Sequence, residues 1–275
     1  VLPTTSDTSY ITACDSVVWN GATYTQSGTY SYSGDTTNNN YSMSFDGVDD
    51  YVETSNNIFS NNDLQSGTLS AWVKYNSFSR QNIISLEGWV EIEIDNGYIY
   101  GCSDGVCTQV SSSSTYNDGL WHSVAITWDS INQLTLYIDG VLESLITSLN
   151  PPLVDNDNRA LLFGRHSNYN DPTALLYSFN GSLDDVQIWN TALSQSEIQQ
   201  YMNCPPTGTE AGLVGYWNFE EGSGTTAYDQ TSNGNNGTIN GATYDTNVPA
   251  QSCALTNANG CDSTAILNLT INQAD

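Results

Sequence analysis

The amino-acid sequence predicts an all-β protein: an antiparallel β-sandwich with one short helix, plus a small β module formed by the two ends of the chain. Three segments, 69–75, 122–128 and 133–138, alternate apolar and polar residues with the period of two that is typical of half-buried strands. No helical pattern alternates with these segments, which favours antiparallel pairing. The third observation is a Cys-Asp-Ser motif that occurs near each end of the chain, at 14–16 and 261–263.

The two chain ends predict one small module, because each carries half of a short, turn-rich β repeat. We place this module at residues 1–33 and 254–275. Asn20-Gly21 is a hairpin-type turn signal in its first half. We expect the first and last strands to lie at sheet edges, where open backbone groups invite pairing with a neighbouring copy. The predicted strands are 8–12, 17–19, 23–32 and 265–271.

Residues 34–253 predict the sandwich, as many short strands separated by turns. The dipeptide 139–140, Asp-Gly, signals a hairpin turn. One helix is expected after a capping box formed by Ser194 and Glu197. The apolar stripe of this helix consists of Ile198, Tyr201 and Met202.

The charge and the apolar runs of the chain exclude nucleic acid as a partner and insertion into a membrane. Only 4 Lys and Arg side chains stand against 30 Asp and Glu, which gives a net charge of −26. A protein without a cationic surface does not displace the counterions of nucleic acid, so we expect no nucleic-acid partner. No apolar run reaches the length of about 18 residues that membrane insertion requires. The acidity is compatible with simple solubility or with binding of divalent cations.

Six cysteines predict disulfides and a secreted or cell-surface, extracellular location, because disulfides persist in oxidising compartments. One pair flanks a tight turn, one pair occupies the two Cys-Asp-Ser motifs, and two cysteines remain. Zinc is the alternative, but the sequence has no Cys-x-x-Cys pair and both histidines are far from any cysteine. The expected pairs are Cys14–Cys261, Cys102–Cys107 and Cys204–Cys253.

Six motifs of the middle segment resemble the laminin-G-like, concanavalin A-like jelly-roll family, which implies a jelly-roll β-sandwich. In that family the segment matching 212–244 usually precedes the one matching 44–53, so this domain resembles a circular permutation. The split module resembles Cys-Asp-Ser/Trp-Asn-Gly repeats of secreted surface proteins in Bacteroidetes-type bacteria, which occur in tandem. The matching motifs are 44–53, 69–73, 118–122, 136–140, 179–189 and 212–219.

The family resemblance implies a calcium site. In the family, a metal commonly lies between a loop that corresponds to 229–237 and the acidic strand that matches 183–186. Such a loop offers the carboxylate, amide and carbonyl oxygens that Ca²⁺ prefers. The alternative is ordinary turn chemistry, for which Asn, Asp and Gly are also favoured. The matching ligands are Asp229, Asn235 and Asp184, with Asn233 and Asp185 as further ligands.

Glycan binding is the kind of recognition that the composition favours. Tyrosine and tryptophan rings stack on sugars, and Asn and Asp bind their hydroxyl groups. Loops 76–81 and 165–171 have this composition, although the sequence assigns no individual ligand-binding residue. Trp72, Trp128 and Trp189 lie in predicted strands and are expected to pack in the core.

The segment 91–95 is the one place that suggests a glycosidase. Glu91, Glu93 and Asp95 alternate, so their carboxylates share one strand face at spacings of about 6.5–7 Å. The apolar residues between them are expected to face the core and the acids to face water, which is the structural interpretation. No Ser or Cys nucleophile motif accompanies either histidine. We therefore expect no enzyme activity.

Together these patterns predict a non-catalytic extracellular module of a repetitive, calcium-stabilised surface protein, which binds a glycan or a surface protein. Neighbouring copies of the same module are expected partners. One alternative is a structural subunit of an extracellular fibre that assembles end to end through the small module. The other is a carbohydrate-active enzyme.

Overall fold

A computed structural model describes most of the chain and divides it into two compact units, 1–38 with 252–275, and 39–251. The boundaries predicted from the sequence lie at 33/34 and 253/254. The described residues are 5–13, 17–19, 22–24, 27–32, 39–54, 58, 66–86, 90–103, 108–129, 133–147, 160–168, 171–251, 253 and 263–271.

The described elements are strands and one helix, α1 (Gln195–Asn203). The strands are β1 (Thr5–Ala13), β2 (Val17–Trp19), β3 (Ala22–Tyr24), β4 (Gly28–Tyr32), β5 (Ser42–Asp46), β6 (Tyr51–Thr54), β7 (Gly67–Tyr75), β8 (Gln81–Leu86), β9 (Val90–Asp95), β10 (Tyr98–Ser103), β11 (Thr108–Ser111), β12 (Trp121–Trp128), β13 (Leu134–Ile138), β14 (Val141–Ile146), β15 (Leu161–Phe163), β16 (His166–Asn168), β17 (Asp171–Leu176), β18 (Asn180–Trp189), β19 (Leu213–Trp217), β20 (Thr226–Ala227), β21 (Gly237–Asn240), β22 (Thr243–Asp245) and β23 (Ser263–Ile271).

The small unit joins the two chain ends in one three-stranded sheet of order β1-β23-β4. β1 and β23 are parallel, and β23 and β4 are antiparallel. The prediction that the last strand lies at an edge is wrong, because β23 is hydrogen-bonded on both sides. β1 does lie at an edge. β2 and β3 pair as a hairpin with Trp19 opposite Ala22, and the predicted turn residues Asn20 and Gly21 lie outside the described residues.

Two antiparallel sheets of eight strands form the sandwich, as the sequence predicts. The first has the order β11-β10-β9-β8-β15-β6-β21-β20. The second has the order β14-β13-β12-β7-β18-β5-β22, with β19 paired to β18. Along β7 the buried Leu69, Ala71 and Val73 alternate with partly exposed residues, so one face of each sheet closes the core and the other faces outward.

The tryptophans divide between the core and the outer face of the second sheet. Trp128 and Trp189 are buried, as predicted. Trp217 is also fully buried, with its ring 5.0 Å from that of Phe163. The core assignment of Trp72 is wrong, because its side chain is only partly buried and its Nε1 donates to the Met202 carbonyl at 3.2 Å.

Helix α1 begins at the predicted capping box. The Ser194 Oγ accepts a hydrogen bond from the Glu197 N–H at 3.4 Å, and the Glu197 carboxylate accepts one from the Ser194 N–H at 2.7 Å. Ile198 is buried and packs against a small apolar cluster on the second sheet that includes Trp189. This helix is too short to cross a membrane, and the described part of the chain contains no helix that could.

The predicted hairpin turn between β13 and β14 is confirmed. Asp139 and Gly140 have φ angles of 50° and 71°, the left-handed conformations that a tight two-residue turn needs. The Gly140 carbonyl accepts hydrogen bonds from the side chains of Gln195 and Gln199, at 2.9 and 2.8 Å, so the helix is fastened to this hairpin.

Candidate functional sites

A β-bulge in β18 brings two adjacent carboxylates into one buried site. Asp184 and Gln187 of β18 pair with Trp72 and Ser70 of β7, so β18 has one extra residue between these two pairs. Asp185 takes a left-handed φ of 47° at this point. In a regular strand, adjacent side chains point to opposite faces. Here the bulge lets both carboxylates, 0% and 4% exposed, reach the same pair of amide side chains, Asn39 and Gln251.

The amide partners of these carboxylates carry no charge. Asn39 Nδ2 donates to Asp184 Oδ2 at 2.8 Å and to Gln251 Oε1 at 3.0 Å. Gln251 Nε2 donates to Asp185 Oδ2 at 2.5 Å and to the Met202 carbonyl at 3.3 Å. Oxygen atoms therefore converge on both amide nitrogens.

The site concentrates negative charge without a cation. Burial raises the pKa of Asp184 well above its ordinary value, and the neighbouring Asp185 raises it further. Burial also raises the pKa of Asp185, against the opposing effect of a hydrogen bond from the Tyr216 hydroxyl to Asp185 Oδ1 at 2.5 Å. None of the ion pairs found among the described residues includes either carboxylate. Two adjacent buried carboxylates are costly unless a proton or a cation neutralises part of their charge.

One further oxygen at this site has no partner. Asn39 Oδ1 is fully buried and accepts no hydrogen bond. Glu220 adds a third carboxylate charge that acts on Asp184 and Asp185. It also accepts hydrogen bonds from the backbone N–H groups of Asn40 and Tyr41, at 2.7 and 3.0 Å, and so anchors the segment that carries Asn39.

The loop 229–237 is built as a hydrogen-bonded turn around Asp229. Asp229 Oδ1 accepts from the N–H groups of Tyr216 and Thr231, at 3.1 and 2.9 Å. Its Oδ2 accepts from Thr231 Oγ1 at 2.8 Å and from the Asn235 N–H at 2.9 Å. Because a carboxylate offers about four lone-pair sites, these bonds occupy all of its acceptor capacity.

The two predicted asparagine ligands also hold this loop in place. Asn233 and Asn235 each donate through Nδ2 to the Val214 carbonyl at 2.9 Å. Tyr216 links the loop to the bulge, because its N–H binds Asp229 and its hydroxyl binds Asp185. The structure thus places the five predicted ligands in two hydrogen-bonded groups joined through this tyrosine.

The acidic stripe of β9 is buried, which contradicts the prediction of a solvated face. Glu91 is 8% and Glu93 2% exposed, and Asp95 is partly exposed. The Glu93 carboxylate binds Arg80 through two hydrogen bonds, Nε to Oε2 at 2.8 Å and Nη2 to Oε1 at 3.1 Å. This bidentate arrangement is the strong form of a carboxylate–guanidinium pair.

Glu91 has a separate set of partners. Its Oε2 accepts from Asn82 Nδ2 at 3.0 Å, and its Oε1 lies 2.9 Å from His166 Nδ1 and 3.3 Å from Ser85 Oγ. The prediction failed because these partners belong to β8 and β16. The alternation along β9 carries no information about residues on other strands.

Each of the two predicted glycan-binding loops, 76–81 and 165–171, places one side chain against the Tyr177 ring, beside these acids. The Asn82 N–H donates to the Tyr177 carbonyl at 2.9 Å. The Arg80 guanidinium lies 4.7 Å from the centroid of the Tyr177 ring, and the His166 ring is stacked on that ring at 6.3 Å. Tyr177 and Phe78 are 40% and 66% exposed. We call Arg80, His166 and Tyr177, together with the exposed Phe78 two residues before Arg80 in the chain, the aromatic patch.

The sequence analysis missed an acidic cluster formed by Asp46, Asp49 and Asp50. One ligand atom from each lies within 4.8 Å of the others, so the cluster could hold a metal ion. Asp50 Oδ2 accepts from the Asp46 N–H at 2.8 Å, and burial raises the pKa of Asp50. The signal was present in the sequence as three acids within five residues, 46–50.

Three of the six cysteines belong to the described residues, and each is disulfide-bonded: Cys102, Cys204 and Cys253. The other three, Cys14, Cys107 and Cys261, lie outside the described residues. The pairing stays a prediction.

The family of the chain follows from a match between residues 46–199 and the Laminin_G_3 family model, described as the concanavalin A-like lectin/glucanases superfamily. This match covers more than half of the 275 residues. The chain belongs to this family. The predicted laminin-G-like, concanavalin A-like jelly-roll fold is therefore confirmed for the sandwich.

Solved structures with the same fold come from different organisms. A candidate carbohydrate binding protein from Bacteroides ovatus is 18% identical, with a TM-score of 0.64, and the match covers 78% of this chain and 62% of that chain. The heptameric SAP-like pentraxin from Limulus polyphemus is 12% identical, with a TM-score of 0.57. The match covers 79% of this chain and 98% of the pentraxin chain. At such low identities the likeness shows the fold alone.

A curated relative matches a shorter stretch of the chain. The rat protein "Sushi, von Willebrand factor type A, EGF and pentraxin domain-containing protein 1" is 28% identical over 114 residues. The match covers 40% of this chain and 3% of the rat protein, so the chain spans a small fraction of that relative's length.

Proposed function

We propose that the chain is a non-catalytic, extracellular binding module whose ligand is a glycan, held at the aromatic patch. The observation that carries the proposal is the meeting of loops 76–81 and 165–168 around the exposed Tyr177 ring. Exposed rings and a guanidinium group supply stacking and hydrogen bonds to sugar hydroxyls. The buried acids hold Arg80 and His166 in place. The family, described as the concanavalin A-like lectin/glucanases superfamily, supports a carbohydrate ligand.

A glycan array tests the proposal when wild type is compared with Phe78→Ala. Phe78 is 66% exposed, and its backbone carbonyl, which the substitution keeps, accepts a hydrogen bond from the Asn96 N–H at 2.9 Å. The variant should therefore fold normally and bind the selected glycan about tenfold more weakly. Leu120→Ala, at a side chain that is 62% exposed and lies on another loop, is the matched control. Equal glycan binding by wild type and Phe78→Ala would contradict the assignment of the glycan site to the aromatic patch.

The paired acids of β9 support a binding role over catalysis. A retaining or inverting glycosidase needs one carboxyl group as acid and a second that is free to act on the sugar or on water. Glu93 is bound bidentately by Arg80, and Glu91 is bound by Asn82 and His166. Both carboxylates are therefore engaged within the protein.

We also propose that Ca²⁺ stabilises the sandwich at Asp184 and Asp185. The residues fit the ion, because the two adjacent carboxylates of Asp184 and Asp185 are buried together and their amide neighbour Asn39 has a buried oxygen, Oδ1, without a partner. The ion would supply positive charge that offsets the repulsion between the carboxylates. Asp229, Asn233 and Asn235 act in this proposal as the turn that positions Tyr216 against Asp185.

Thermal melting tests the calcium proposal. An ion that binds only the folded state at 100 times its Kd adds about 2.7 kcal/mol to the free energy of unfolding. Calcium should therefore raise Tm relative to a chelator, and Asp184→Asn should abolish that rise. Asp229→Ala should lower Tm equally with and without calcium, because it breaks the turn. An unchanged wild-type Tm in calcium and chelator would contradict the site.

A second candidate role is assembly with neighbouring copies in a repetitive surface protein or fibre. One observation favours it: β1 lies at the edge of the small sheet, and its Tyr10 is 81% exposed. Two units joined in tandem should then associate through residues 1–12, and Tyr10→Lys should disrupt that association. Small-angle scattering that shows two freely jointed units would speak against this role.

A further inference from the structure

The buried acid site lies where the sandwich unit begins and ends. Asn39 and Gln251 are the first and last residues of the unit 39–251. Although 212 residues separate them in sequence, they are joined by a hydrogen bond of 3.0 Å. Each also binds one carboxylate of the bulge, Asn39 that of Asp184 and Gln251 that of Asp185. The site therefore contains both ends of the unit as well as an internal strand.

The two amide groups stand at points where oxygens converge. Asn39 Nδ2 is surrounded by Asp184 Oδ2 and Gln251 Oε1, and Gln251 Nε2 by Asp185 Oδ2 and the Met202 carbonyl. A cation satisfies converging oxygens better than a neutral amide does. An amide presents its oxygen in place of its nitrogen after half a turn about its last side-chain bond. Because Asn39 Oδ1 has no hydrogen-bond partner, a turn of the Asn39 amide breaks no bond to that oxygen.

We propose that Asn39 and Gln251 are themselves calcium ligands, so that the ion fastens the two ends of the sandwich unit to β18. This inference rests on the calcium site proposed above and adds the ligands that close it. The ion then acts as a clamp at the place where the chain enters and leaves the sandwich.

The segments next to the clamp show what it would protect. Ser42 Oγ donates to the Asn247 carbonyl at 2.8 Å, and β5 and β22 pair from Ser42 opposite Asp245 to Ser44 opposite Thr243. Asn247 Oδ1 also accepts hydrogen bonds from Lys74 Nζ and Trp121 Nε1, at 2.9 and 2.8 Å. The terminal residues themselves, Asn39 and Gln251, are held by side-chain contacts at the acid site rather than by a strand ladder. We therefore expect 39–42 and 246–251 to open first when calcium is removed.

Calorimetric titration with CaCl₂ and hydrogen exchange test the clamp together. The test variants are Asn39→Ala and Gln251→Ala, and each should weaken calcium binding about tenfold. The matched controls are Asn240→Ala and Gln133→Ala, whose amides donate to the Thr238 carbonyl and to Thr135 Oγ1 and should leave calcium affinity unchanged. In wild type, calcium should slow amide exchange in 39–42 and 246–251 about tenfold or more.

The outcomes separate the clamp from the calcium site and from glycan binding. If wild type binds calcium but both amide variants bind it equally well, or exchange at the two ends is unchanged, the clamp is refuted and the site at Asp184 and Asp185 remains. If wild type binds no calcium, the site and the clamp both fail. Neither result bears on the array with Phe78→Ala, which tests the glycan role.

Discussion

Removal of the guanidinium group of Arg80 should destabilise the sandwich by about 2 kcal/mol. The side chain of Glu93 is 3% exposed and receives two charge-assisted hydrogen bonds from Arg80, whose own side chain is 45% exposed. Breaking a fully buried pair costs about 3–5 kcal/mol, because a charge stays buried without its partner. The exposed side of Arg80 lets water replace part of the lost contact, so we expect a smaller loss. Arg80→Met keeps the apolar stem and removes only the charge.

Urea denaturation of Arg80→Met measures this loss as a lower midpoint at constant m-value. A double-mutant cycle with Glu93→Gln should give a coupling energy of about 1–2 kcal/mol. Glu53→Gln, at an exposed acid of the same sheet, is the control and should stay within about 0.5 kcal/mol of wild type. If Arg80→Met also stays within that margin, the pair behaves as an ordinary surface salt bridge and the argument from burial is refuted.

Three further predictions test other parts of the fold. A hydrogen bond to Asp139 at 2.9 Å, aided by Asp118, raises the pKa of His122 in the folded protein. The protonated His122 therefore stabilises the fold fully below the unfolded pKa of about 6.5, and this stabilisation is lost as pH rises through the folded pKa. His122→Gln should thus cost about 0.5 kcal/mol near pH 5.5 and nothing near pH 8.5 in urea titrations, and a loss independent of pH would contradict this. Ser194→Ala removes the cap of α1 and should cost about 1 kcal/mol by the same assay, and an unchanged midpoint would contradict the cap's role. Non-reducing peptide mapping should find the three predicted disulfides, and a Cys14–Cys204 link would refute the split module.

Features encoded within a few residues were predictable from the sequence. The 139–140 turn depends on two residues that adopt left-handed angles, and the capping box depends on Ser194 and Glu197 alone. Strands such as 69–75 carry their pattern within themselves, because side chains alternate along a single strand. The family motifs then supplied the arrangement of these strands, which local patterns do not contain.

Features that depend on distant partners were not predictable. Period-two alternation places Glu91 and Glu93 on the outer face of β9, but it does not show that Arg80, from the loop before β8, and His166, from β16, pair with them. The calcium proposal shows the same limit. Asp184 and Asp185 were found through a motif, whereas Asn39 and Gln251 reach them from 145 and 66 residues away and belong to no motif.

The most direct test of the glycan role is chemical-shift mapping with the glycan that the array selects. We predict that the amide chemical-shift changes caused by the glycan cluster in 76–82 and 165–178, around the Tyr177 ring. Phe78→Ala should weaken the glycan affinity measured in the same titration about tenfold. Shifts confined to other surfaces, such as the acidic cluster at 46–50, would contradict the account, as would an array on which no glycan binds.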